Sequence, residues 1–307
     1  MQTKTLTEAA LSVSIFAILA LITFYIPAMA IIGILVLATP HAILTWRQGL
    51  RAGILAILAA GIILALFLDI ISAFILITLF AVVGVALGYC AKRYTPGKTL
   101  LISTVVGAIS FGILLFLVKQ LTGIDMFGDM IRIYQEAILS VNENSGIISL
   151  DAQEIINQIT VLTTYLMPAM VLIFGFMTAY VNFLFFGIVG RRLRLDVPKT
   201  PLIYDIRLPK WLGALFIVGV ALMLYGQEGT MIHYIGMNLS LLFTLPVLFQ
   251  GLALAVVFMR QYIKSFLFYI LLFIVVLTNP FLTQIATILG LFDIFFDYRG
   301  WLKERGN

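Results

Sequence analysis

Two histidines, one cysteine and a thin scatter of acids are all this sequence offers for metal or nucleophilic chemistry. Their spacing serves neither. His41 and His233 lie far apart, and Cys90 stands alone, so no zinc-type ligand pattern and no intrachain disulfide can form. The chain has no G-x-x-x-x-G-K-[ST] loop, which excludes ATP hydrolysis through a Walker site. H-E-x-x-H and G-x-S-x-G are absent too. The expectation is a protein that is not an enzyme and needs no cofactor.

Uncharged polar residues within long apolar runs are the better candidates. His41 follows Pro40, Asn182 shares a helix face with Gly175 and Ala179, and Asn238, Gln250, Asn279 and Gln284 occupy the last runs. Each could hydrogen-bond a small ligand in a cavity. The alternative is interhelical bonding, which commonly contributes only about 0.6 kcal/mol. An ionised group at the centre of a span costs about 2.5–3.5 kcal/mol, and such groups are nearly missing here. Asp69 falls in a tight turn between runs. Asp293 and Asp297 close the last run near Arg299. A proton relay, a voltage sensor and a charged pore all lose support.

The elements that hold these residues are set by lipid. Hydrophobic residues make up 62% of 307 positions and charged ones 11%, with mean hydropathy +1.12. That is too little polar material to coat a soluble fold. The fold class expected is all-α, a polytopic transmembrane helix bundle of about 8–10 membrane segments. Spans are placed at about 9–26, 28–46, 50–68, 70–90, 99–118, 157–190, 211–226, 234–259 and 265–296. The first is an uncleaved span and not a signal peptide, because a second apolar run follows at once. Trp211 and Tyr225 would seat the short seventh segment. Asp151 and Glu154 mark a helix start before the sixth, and Pro168 should kink it. Asn279-Pro280 divides the last run, either as one kinked span or as a hairpin; the hairpin is favoured. Small-residue stripes, including Ala52/Ala56/Ala60 and Gly84/Gly88, mark helix-packing faces.

Charge fixes the topology. With the N-terminus in the cytoplasm, inner segments carry 14 of the 19 Lys/Arg and outer ones only Lys119 and Arg132, apart from the tail. The basic residues therefore set orientation and do not mark a nucleic-acid binder. The chain reads as a single domain of residues 1–307 in the cell membrane. Residues 119–156 form an outer insertion, whose Met126, Met130, Tyr134, Ala137 and Val141 make an amphipathic helix. Residues 191–210 form a basic inner connector: a loop against lipid headgroups, or a docking surface for a cytoplasmic partner.

Four stretches carry a resemblance. Leu6-Thr7-Glu8-Ala9-Ala10-Leu11, Arg47-Gln48-Gly49-Leu50-Arg51-Ala52-Gly53, Tyr204-Asp205-Ile206-Arg207-Leu208-Pro209-Lys210-Trp211 and the ending Leu289-Gly290-Leu291-Phe292-Asp293-Ile294-Phe295-Phe296-Asp297-Tyr298-Arg299 resemble the YybS-like family of uncharacterised bacterial membrane proteins. That family is distantly similar to the substrate-binding S components of energy-coupling-factor transporters. The resemblance implies an S-component-like core that takes a small molecule from outside and works with a transmembrane coupling protein and two ATPases. The missing Walker motif suits that scheme. Two features depart from it: S components usually have six spans, and their A-x-x-x-A pattern on the first helix is here only Ala10-x-x-x-Ser14. The rival expectation is a structural or regulatory membrane protein that binds other proteins and transports nothing.

Overall fold

A computed structural model describes residues 3–145, 152–199, 207–260, 262–263 and 265–305. All regular structure among them is helical. Seven helical stretches are long and apolar enough to cross a membrane, and an eighth is a bent pair. Their outward faces carry large apolar side chains: Leu66 is 77% exposed, and Ile62, Leu101 and Phe116 are exposed as well. In water this surface would aggregate; in lipid it is solvated. The contacts divide the expected single domain into two compact units, residues 1–200 and 201–307.

The first unit contains α1 (Thr3–Tyr25), α2 (Pro27–Val36), α3 (Thr39–Gln48), α4 (Leu50–Phe67), α5 (Ile70–Leu76), α6 (Val82–Ala91), α7 (Pro96–Thr122), α8 (Met126–Ser145) and α9 (Ala152–Arg192). α2 and α3 are halves of one span, interrupted at Leu37 and Ala38. α5 and α6 are halves of another, joined by a π-helical turn at Ile77–Ala81. Glycine sets the closest approaches. A Cβ on Gly84 would fall 2.3 Å from the Ala38 carbonyl oxygen, and one on Gly88 2.2 Å from that of Ala42. This 84/88 stripe therefore seats α6 directly on the α3 backbone, running parallel to it. Ala52, Ala56 and Ala60 are all buried, as a packing stripe requires.

Most of the unit's basic residues lie at one end, Lys119 and Arg132 being at the other. The Lys92 ammonium donates to the Trp46 carbonyl (2.8 Å), Arg47 contacts Glu8, and Gln48 donates to Glu8. At the other end the Tyr25 hydroxyl donates to the Phe67 carbonyl. Asp69 caps α5 by accepting from the Ser72 amide (2.9 Å), and its hydrogen bonds to Ser72 hold its carboxyl below the usual range.

α8 is amphipathic as expected, with a second apolar face. Met126, Met130 and Tyr134 are exposed, while Ile131 is buried, and Gln135 donates to the Thr160 hydroxyl on α9. The Phe127/Ile131/Ile138 stripe, offset by one position from the methionines, is the more buried of the two, and Gln135 ties the helix to α9. Asp151 of the expected D-x-x-E helix start lies outside the described residues. So do residues 200–206 of the basic connector.

The second unit contains α10 (Lys210–Tyr225), α11 (Met231–Met259), α12 (Phe266–Thr278), α13 (Pro280–Phe296) and α14 (Tyr298–Arg305). α10 and α11 meet at Gly219 and Gly236, and α11 meets α13 where Gly251 faces Ala286 and Gly290 faces Val247. α13 thus runs antiparallel to α11. Trp211 and Tyr225 stand exposed at the two ends of α10. The last apolar run breaks at Asn279-Pro280, and its two pieces meet at 107°. The chain bends there through more than a right angle, as either a broken span or a re-entrant loop does. The Asn279 side chain caps the second piece, accepting from the Phe281 and Leu282 amides.

Candidate functional site

The centre of the first unit is built around the break in the second span. Pro40 lacks an N–H, so the helical ladder loses a bond there. Asn182 on α9 bridges the neighbouring open rung: its Oδ1 accepts from the Ala38 amide (3.2 Å), while its Nδ2 donates to Thr178 O (2.9 Å) and reaches Ile34 O (3.5 Å). A buried backbone donor needs such a partner. His41 lies three residues past this clamp, fully buried, its ring edge-on to Phe16 at 4.6 Å. Neither imidazole nitrogen has a hydrogen bond of good geometry, although the Ala56 backbone is close by.

Hydroxyls inside apolar helices usually bond back to the carbonyl four residues earlier, as Thr23, Thr122, Thr160, Thr244 and Thr287 do here. Ser12, Thr39, Thr45, Thr99, Ser103 and Thr104 are buried and do not. Buried unsatisfied polar atoms call for a ligand or water. Sequence reading passed over these six hydroxyls because Ser and Thr are common in spans. Only the proximity of Thr39 to Pro40 hinted at one of them.

Of the six candidate residues, His41 and Asn182 flank the same break. The other four belong to the second unit and serve different ends. Asn238 donates to the Tyr234 carbonyl (2.9 Å) within its own helix, Asn279 is a cap, and Gln284 is exposed. Gln250 is buried and enters a network: its Nε2 donates to Asp293 Oδ2 (2.7 Å), and its Oε1 accepts from the Leu208 amide (3.4 Å). The Arg299 Nε donates to the same Asp293 oxygen at 2.6 Å, and the Arg299 amide donates to Asp293 Oδ1 at 3.0 Å. Both side chains of this ion pair are almost wholly buried. Alongside it, Arg207 pairs with Asp297 at 2.7 Å on the surface. Asp297 has positive φ, which lets α13 end and α14 begin at an angle. Of the two acids that sequence placed beside Arg299, Asp293 thus forms a buried clasp with it, and Asp297 pairs with Arg207 at the surface.

Among the described residues no three His, Cys, Asp or Glu side chains gather as a metal site. Two cavities stand out, both walled chiefly by apolar side chains: one of about 410 Å³ in the first unit and one of about 560 Å³ in the second.

Residues 14–294 match the model of a family described as predicted membrane protein, DUF2232. The chain belongs to that family. It is also 24% identical to the uncharacterized protein YybS of Bacillus subtilis (strain 168), over 98% of this chain and 99% of that one. No solved structure matches. As a member of DUF2232 this chain is a predicted multi-pass membrane protein, and the family ascribes no activity to it. Its YybS-like ending spans the residues of the Asp293–Arg299 clasp.

Proposed function

We propose that the chain is a non-enzymatic protein of the cytoplasmic membrane, its N-terminus in the cytoplasm, whose first unit binds a small, largely uncharged molecule in the manner of an S component. The observation that carries this reading is the division near residue 200. The first unit alone contains six candidate spans, from Thr3–Tyr25 to Ile156–Arg192, which is the number the S-component resemblance calls for. The surplus spans that set the chain apart from S components all fall in the second unit. Buried, uncharged polar groups at His41, Thr45, Thr99 and Ser103 add support, since they would hydrogen-bond a ligand without demanding charge. Uptake would then require a separate transmembrane coupling protein and ATPases.

A structural or regulatory role is the second reading. It is favoured by one observation: the six candidate residues divide between two units, and three already serve a helix cap, a helix break or the clasp, while a fourth, Asn238, bonds back to its own helix. Purification of the full chain in mild detergent, followed by mass spectrometry of what travels with it, separates the two. A coupling-type membrane protein with ATPases, or a stoichiometric small molecule, supports the binding reading. Their absence favours the scaffold.

A further inference from the structure

The cavity of the first unit lies between α1, α3 and the end of α9. Leu11, Ile15, Ile43, Leu44, Val189 and Leu193 supply its apolar walls. Polar side chains enter it in a set order. Glu8 and Arg47 stand at the basic end, and Ser12 and Thr39 lie deeper. Ser12 is 7% exposed and Thr39 4%, and neither hydroxyl has a hydrogen-bond partner. Arg47 is only loosely held: Glu8 sits 3.7 Å away and is already served by Gln48 at 2.8 Å. A guanidinium has five N–H donors, so most of them stay available to another acceptor. Arg51, Lys92, Arg191 and Arg192 crowd the same end, all exposed.

We propose that this groove is a binding site for an anionic phospholipid of the surrounding bilayer, with one acyl chain along the apolar walls and the phosphate at Arg47. The Ser12 and Thr39 hydroxyls donate to the ester oxygens of the glycerol linkage, which satisfies both. Arg47 and Thr39 are two helical turns apart, about 12 Å along the axis. The reach of the guanidinium and the length of a phosphoglycerol ester together cover that span. Each part of the groove answers one part of such a lipid. An apolar wall selects for a chain, a buried hydroxyl for an uncharged acceptor, and an arginine amid unbalanced positive charge for a phosphate. A free phosphate would leave the walls and hydroxyls empty, and a fatty alcohol would leave Arg47 unused. The proposal stands apart from the small-molecule reading and holds if that reading fails.

The test is native mass spectrometry of the full-length protein, delipidated in detergent and titrated with phosphatidylglycerol or phosphatidylcholine. Wild type should hold one phosphatidylglycerol about tenfold more tightly than phosphatidylcholine. Arg47→Gln should abolish that preference, and Ser12→Ala with Thr39→Val should weaken both lipids. Ile15→Trp, at a half-exposed wall position with little risk to folding, should block the groove and lower retention of both. Equal retention of the two lipids by wild type, or undiminished retention by Ile15→Trp, overturns the proposal. Neither result bears on whether ATPases or a small molecule co-purify.

Discussion

The two units solve the same problem, holding helices together where no water drives them together, by partly different means. The first uses closeness. Gly84, Gly88, Gly107 and Gly175 bring backbones into contact, and its one strong interior polar clamp, Asn182, is uncharged. The second uses glycine contacts too but adds an ion pair, Asp293 with Arg299, buried and anchored by Gln250. Closeness forms gradually along a helix face and tolerates local error. A buried charge pair is all or nothing: removing one partner strands the other. Lipid therefore supports both continuous seams and a discrete clasp, and this chain uses both kinds.

Four tests sharpen or break that contrast. The largest effect should come from the clasp. Asp293→Asn or Arg299→Gln should destabilise the second unit by about 3–5 kcal/mol, whereas an apolar double replacement, Asp293→Leu with Arg299→Met, should recover much of the loss. Thermal unfolding in detergent would show this, and single and double variants of equal stability would end the comparison. Next, Gly88→Val should push α6 off α3, at a cost of about 1–3 kcal/mol through overpacking. A disulfide-crosslinking series between α3 and α6 would detect the displacement. Third, Asn182→Ala should cost about 1–3 kcal/mol by orphaning the Ala38 amide, visible as faster hydrogen exchange at Ala38. The smallest effect lies outside the membrane. The Lys119 ammonium and the Gly128 amide hold the Asp125 carboxyl below its ordinary range. Its contribution is present above the usual carboxylate pKa and is lost as pH falls through the depressed value. Acid should thus loosen the α7–α8 turn in wild type and not in Asp125→Asn, followed by proteolysis of that turn.

Much of the fold was legible because lipid imposes one rule on every span. Apolar length placed the helices, Asn279-Pro280 marked the break in the last run, and the 84/88 glycines marked a packing face. The limits of that rule explain what was missed. Hydropathy alone does not settle which stripe of α8 docks, since Met130 and Ile131 are both apolar; the position of α9 decides. Nor does it separate a hydroxyl bonded within its helix from one left open. Thr23 and Thr39 look alike in a sequence, yet the first bonds to the Leu19 carbonyl and the second has no partner. Asn182 was legible as a polar residue that would meet either a ligand or a neighbouring helix, and its carboxamide bonds the Ala38 amide and the Thr178 carbonyl of its own helix. Asp293 was seen beside Arg299 but without Gln250, which lies 43 residues earlier and meets it only through the antiparallel packing of α11 and α13.

One feature of α9 reaches beyond these contacts. Its 41 residues extend roughly 60 Å, about twice the hydrocarbon thickness. Part of it must therefore stand clear of the bilayer as a stalk of several turns, braced by α8. For a protein otherwise hidden in a detergent belt, that stalk is a handle. An antibody fragment raised against it would give electron microscopy a fixed landmark without disturbing anything inside the membrane.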